Sequence, residues 1–174
     1  MMELDAPIFL IGYRGTGKST VACLVADRLK WNSIDADDEI ERRTGKSIAD
    51  IFALQGEAAF RAVEASVVAE LAERQNTVIA LGGGAVLFAE NRAVIRGKGP
   101  VIWLTASVDT IESRIVADAS TAQRRPNLTA AGGRAEIEAL LAAREPQYRE
   151  CATLVVATDG KTSAKVADEI LDQL

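Results

Sequence analysis

The chain has 174 residues, 48% of them hydrophobic and 26% charged, the size and make-up of one globular domain with a sizeable core. A net charge of −5 argues against a nucleic-acid surface and confines any anionic substrate to a locally basic pocket. Histidine is absent, which excludes a histidine base, and the two distant cysteines, Cys23 and Cys151, argue against a zinc site.

In chain order, apolar runs alternate with helical patterns. Residues 7–11 (PIFLI) read as a strand ending in a glycine turn. Residues 18–30 place Val21, Leu24, Val25 and Leu29 on one helical face, and 33–35 form a short strand. Residues 57–74 align Phe60, Val63, Val67 and Leu71, and 77–81 are a strand running into Gly82, Gly83 and Gly84. A strand at 101–104 precedes a helix carrying Val108, Ile111 and Ile115. Residues 134–148 are helical in pattern, with Pro146 expected to disturb the helix just past it. A strand at 153–156 and a helix at 163–174 close the chain. Such alternation predicts a parallel sheet covered on both faces. The polar stretch 118–133 shows no clear period, and a long loop in a compact domain is usually functional or disordered. No leader pattern opens the chain, and the uncharged run through 76–89 is too short and glycine-rich to span a membrane. A cytoplasmic protein of one domain, residues 1–174, is expected.

Gly12-Tyr-Arg-Gly-Thr-Gly17-Lys18-Ser19 fits the phosphate-loop pattern G-x-x-x-x-G-K-[ST]. Its glycines let backbone N–H groups turn inward onto phosphate oxygens, and the helix that follows adds its positive end. Lys18 brings a charge to the β and γ phosphates, and Ser19 can ligate Mg²⁺. Asp35 and Asp37 follow a strand and, in extended backbone, face the same side. One suits Mg²⁺ and the other a substrate hydroxyl; the alternative is an acidic helix start capped by Asp37. The Gly82–Gly84 run allows close approach of a ligand or is simply a flexible turn. Arg144 stands four residues from both Leu140 and Tyr148, beside an apolar stripe, where it needs an anionic partner from substrate or protein. Arg61, Arg124 and Arg125 join it; any one of the four alone reads better as an ordinary surface or ion-pair residue, and the case for function rests on their joint pattern.

Taken together, the phosphate loop, Asp35-x-Asp37, Gly56-Glu57-x-x-Phe60-Arg61-x-x-Glu64, Leu81-Gly82-Gly83-Gly84-Ala85, Arg125-Pro126 and Arg144-x-Pro146-x-Tyr148 resemble the shikimate kinase family in order and spacing, over essentially the whole chain. The resemblance implies an α/β P-loop kinase fold. Its five-stranded parallel sheet has order 2-3-1-4-5, flanked by helices, with a lid at about 118–133. It implies ATP-dependent phosphorylation of the 3-hydroxyl of shikimate, on the route to chorismate and aromatic amino acids, by a monomer without nucleic-acid or membrane partners. Gly15, Thr16, Gly17, Lys18, Ser19 and Thr20 would hold ATP, with Ser19 and Asp35 serving Mg²⁺. Asp37 would orient the shikimate hydroxyls and act as base. Arg61 and Arg144 would take the carboxylate, with Gly82, Gly83 and Gly84 against the ring and Glu64 holding Arg61. Arg125 would reach the transferring phosphate from the lid. The family's usual Arg-Pro-Leu-Leu lid run reads Arg125-Pro126-Asn127-Leu128 here. Arg114 and residues 158–161 are the candidates on the adenine side. A gluconate kinase of the same fold and a non-catalytic binding module are the competing readings.

Overall fold

A computed structural model of the chain describes residues 5–118, 129 and 132–174. In order, the elements are β1 (Ile8–Ile11), α1 (Lys18–Leu29), β2 (Asn32–Asp35), α2 (Ala36–Thr44), α3 (Ile48–Gln55) and α4 (Glu57–Leu71). Then come β3 (Thr77–Ala80), a 3₁₀ turn (Ala85–Leu87), α5 (Ala89–Arg96), β4 (Val101–Thr105) and α6 (Val108–Ala117). The chain closes with α7 (Gly133–Cys151), β5 (Leu154–Ala157) and α8 (Ser163–Leu171).

The strands form one parallel sheet in the order β2-β3-β1-β4-β5, as the resemblance implies. Strand periodicity sorts its side chains onto two faces. Phe9, Ile11, Ile79, Val101 and Trp103 enter one core with Phe60, Val67 and Leu71 of α4 and Tyr148 of α7. Ile8, Leu10, Val78, Ile102 and Leu104 enter the other, under Val21 and Val25 of α1 and Val166 and Ile170 of α8. Each fully buried aliphatic chain contributes about 1.5–3 kcal/mol over its exposed state. The strands buried on both faces therefore read as unbroken apolar runs. β1 lies at the centre, so the loop leaving its carboxyl end opens where the strand order switches sides, the usual ligand crevice of such sheets.

Three helices were not legible as periodic segments. α2 has Ile40 as its one large apolar residue, and α3 and α5 have eight residues each. Ser47 caps α3 by accepting from the Asp50 N–H and Asp35 caps α2, whereas α5 has no side-chain cap and is held by its buried Asn91 and Ile95. Pro146 does not end α7, which continues through Gln147 to Cys151. Among the described residues, no helix is long and apolar enough to cross a membrane.

Candidate active site

The phosphate loop is held open by three glycines with positive φ, Gly12 (144°), Gly15 (81°) and Gly17 (91°). A side chain at Gly12 would in addition meet the Leu104 carbonyl oxygen at 2.5 Å. Gly17 is the N-cap of α1, so the helix presents its first N–H groups to the loop. Lys18 is buried, and its Nζ donates to the carbonyls of Gly12 (2.6 Å) and Tyr13 (3.0 Å). The lysine thus braces the loop across its own mouth. Thr16 Oγ1 donates to the Tyr13 carbonyl at 2.7 Å, and Ser19 and Thr20 are exposed on the first turn.

Ser19 Oγ donates to Asp35 Oδ2. The other oxygen of Asp35 caps α2, accepting from the N–H groups of Asp37 (2.8 Å) and Asp38 (3.3 Å). This corrects the reading of the acidic pair. Asp35, at the end of β2, is the cap, whereas Asp37 sits inside the first helical turn and not on an extended strand. The two carboxylates are therefore not aligned by strand alternation. Asp35 turns to the phosphate loop, while Asp37 is buried beside Gly82, where a Cβ would lie 2.9 Å from its Oδ1.

Around the glycine turn four elements converge. Arg61 of α4 donates to Glu64 Oε1 at 2.8 Å and lies 3.5 Å from Glu57, with its guanidinium against the Phe60 and Phe88 rings. A Cβ at Gly84 would come within 2.7 Å of Arg61 Nη2. Arg144 of α7, which unlike Arg61 is buried, stands over the Tyr13 ring at 5.6 Å, and its Nη1 would lie 3.3 Å from a Cβ at Gly83. No triplet glycine has a positive φ, so here the glycines serve space and not backbone strain. Tyr148 Oη donates to the Gly83 carbonyl at 2.6 Å, and burial pushes this phenol up to about 12, so it remains a donor. Glu64 is raised above the usual carboxyl value, chiefly by burial and further by nearby Asp37, against the opposing pull of Arg61 and Arg144. Arg61 and Arg144 line one cavity of about 310 Å³ together with Phe52, Glu57, Leu87, Leu140 and Ala143.

On the far side of the loop, Arg114 of α6 donates to the Gly15 carbonyl (3.2 Å) and to Thr158 Oγ1 (3.0 Å). Those two candidates meet beside the phosphate loop, whereas Lys161 pairs with Glu169 of α8 at 2.6 Å. Arg124, Arg125 and Asn127 lie outside the described residues.

Sequence reasoning missed Arg14 and Glu136, which form a buried ion pair at 2.7 Å. Glu136 was within reach of pattern reading, since it extends the Leu140, Arg144, Tyr148 stripe by one turn. Nothing local marks Arg14, whose partner is 122 positions away.

The sequence profile of the shikimate kinase family matches residues 14–174. The chain belongs to the shikimate kinase family. Among its relatives, the shikimate kinase of Rhodopirellula baltica is 43% identical over 164 residues, covering 94% of this chain and 88% of the relative. That of Chromobacterium violaceum is 41% identical, covering all of this chain and 92% of the relative. The structure matches a shikimate kinase from Acinetobacter baumannii in complex with shikimate, with a TM-score of 0.90 and 36% identity, over 97% of this chain and 92% of that one. A gluconokinase from Sinorhizobium meliloti matches with a TM-score of 0.60 at 16% identity, a likeness of fold alone. The shikimate kinase fold thus accounts for the sheet order and for the loop at the end of β1.

Proposed function

We propose that this chain transfers the γ-phosphoryl group of ATP to the 3-hydroxyl of shikimate, a step towards chorismate. The carrying observation is the cavity that Arg61 and Arg144 line together, beside a glycine turn that adjoins the phosphate loop. A small hydroxylated acid suits it. The guanidinium groups take its carboxylate, the glycines let its ring approach, and Asp37 beside Gly82 orients its hydroxyls. Phosphoryl transfer needs alignment and charge stabilisation more than covalent catalysis, which fits a chain without histidine.

The loop N–H groups of Gly15, Thr16 and Gly17, the first turn with Ser19 and Thr20, and Lys18 hold the nucleotide phosphates in this reading. Asp37 accepts the proton of the attacking hydroxyl. Ser19 and Asp35 suit Mg²⁺: a hydroxyl faces a carboxylate oxygen whose sister oxygen is already engaged by the α2 cap. That ion keeps most of its shell as water and phosphate oxygen, so two protein donors suffice. Bound with ATP it would neutralise charge on the phosphate oxygens. Arg125 is assigned to the transferring phosphoryl, and residues 118–133 to a lid of a single domain, on the strength of the Arg125-Pro126 motif alone. The intracellular nature of ATP supports a cytoplasmic location.

A coupled ADP-release assay with Mg-ATP tests the reading. Shikimate should stimulate ADP release strongly and gluconate should not. Equal stimulation by both acids, or by neither, overturns it.

A further inference from the structure

Arg14 stands at a variable position of the phosphate-loop pattern, yet its side chain is only 8% exposed, and that of its partner Glu136 is 0% exposed. Burying such a pair is a poor route to stability, because desolvation offsets the attraction. Both oxygens of Glu136 are engaged: Oε2 by Arg14, and Oε1 by the backbone N–H of Thr129. Glu136 opens a stripe of α7 that continues through Leu140, Arg144 and Tyr148 at four-residue spacing. Over about 12 Å of helix, Glu136 and Arg144 stand about 80° apart around the axis, within one half of the helix surface. Both meet the phosphate loop, Glu136 at the Arg14 side chain and Arg144 at the Tyr13 ring. Gly83 closes the arrangement. A Cβ there would meet Arg144 Nη1 at 3.3 Å, and the Arg14 nitrogen and Gly12 oxygen at 3.5 Å each.

We propose that Arg14 and Glu136 are a positioning pair that couples the nucleotide loop to the acceptor clamp. The pair sets the loop in register with the helix that carries Arg144, so that nucleotide and acceptor acid bind interdependently. This rests on the kinase reading above. A charge pair shielded from water resists displacement, so a shift of the loop on binding phosphates is passed to α7 and not absorbed between them.

The test measures shikimate affinity by calorimetry with and without Mg-ADP, in the wild type, in Glu136→Gln and in the double variant Arg14→Met/Glu136→Leu. The double variant keeps the volume apolar, a replacement that buried pairs usually tolerate. In the wild type, Mg-ADP should change the shikimate dissociation constant by about fivefold or more. In both variants that ratio should fall towards one, with kcat lowered more than either KM. A merely structural pair would lower the melting temperature and leave the ratio intact. A wild-type ratio of one, or an undiminished ratio in either folded variant, overturns the proposal. Absence of shikimate-dependent ADP release from the wild type strikes the kinase reading instead, since the binding ratio is read without turnover.

Discussion

Arg144 carries the most specific expectation at the scale of single residues. Its guanidinium is buried among Tyr13, Gly83 and the cavity wall, and its Nε has no hydrogen-bond partner among the described residues. A buried donor of that kind is satisfied by a carboxylate entering the cavity. Arg144→Ala should raise the half-saturating shikimate concentration about ten- to a hundredfold, since a charged hydrogen bond contributes roughly 1.5–3 kcal/mol. The ATP requirement should change by a smaller factor, no more than the coupling between the two substrates. Steady-state kinetics with each substrate varied in turn checks this, and an unchanged shikimate requirement counts against the carboxylate role. The residue types of this site were legible in the sequence, because each belongs to a motif. Their partners were less so. Asp35 and Asp37 were placed on one strand face, but Asp35 accepts two backbone N–H groups and thereby starts a helix at Ala36. Of the two readings of the pair, the structure has the acidic helix start, with Asp35 and not Asp37 as its cap.

Among elements, the two glycine loops invite opposite outcomes. Gly12 has a φ of 144° and a backbone carbonyl 2.5 Å from any Cβ, so neither the torsion nor the neighbour yields. Gly12→Ala should lower the melting temperature by about 5 °C or more. Gly84 has an ordinary φ, and its obstruction is the far end of the Arg61 side chain. Gly84→Ala should shift the melting temperature by under about 2 °C while raising the shikimate requirement, because Arg61 is what moves. Thermal melts with kinetics separate the two, and equal stability losses contradict the distinction. Element boundaries show the same division. Long apolar faces such as that of α4 are readable by period, whereas α2, α3 and α5 are short; caps decide the first two and burial against neighbours the third. The sequence predicts a disturbance just past Pro146, yet α7 runs on to Cys151. Arg144 and Tyr148, on the two sides of Pro146, are both buried, so their packing opposes a break there.

For the whole molecule, titration sets two opposed trends. Glu39 is lowered to about 2, first by hydrogen bonds from Arg42 and Arg43, and Asp159 to about 2, first by one from Thr110. Carboxyls lowered on folding add stability that is present above their unfolded values and lost as pH falls towards 2. Glu64 is raised by burial, so the native state holds its proton longer than the unfolded chain, and stability is given up as pH rises above about 4.5. Glu64→Gln, which cannot ionise, should therefore gain stability relative to wild type as pH rises from 4 towards neutrality. Melting temperatures across that range check the sign; a difference that shrinks with rising pH contradicts it.

The sequence by itself determined the parallel sheet, the phosphate loop and the family, because strand alternation, glycine torsions and motif order are properties of contiguous residues. The resemblance already implies that Asp37, Arg61, Glu64 and Arg144 serve one site; tertiary structure sets their distances at the glycine turn and alone pairs Arg14 with Glu136. Those contacts join side chains of separate elements. They depend on how each helix is rotated and set against the sheet, which the packing of two cores settles and no local pattern encodes.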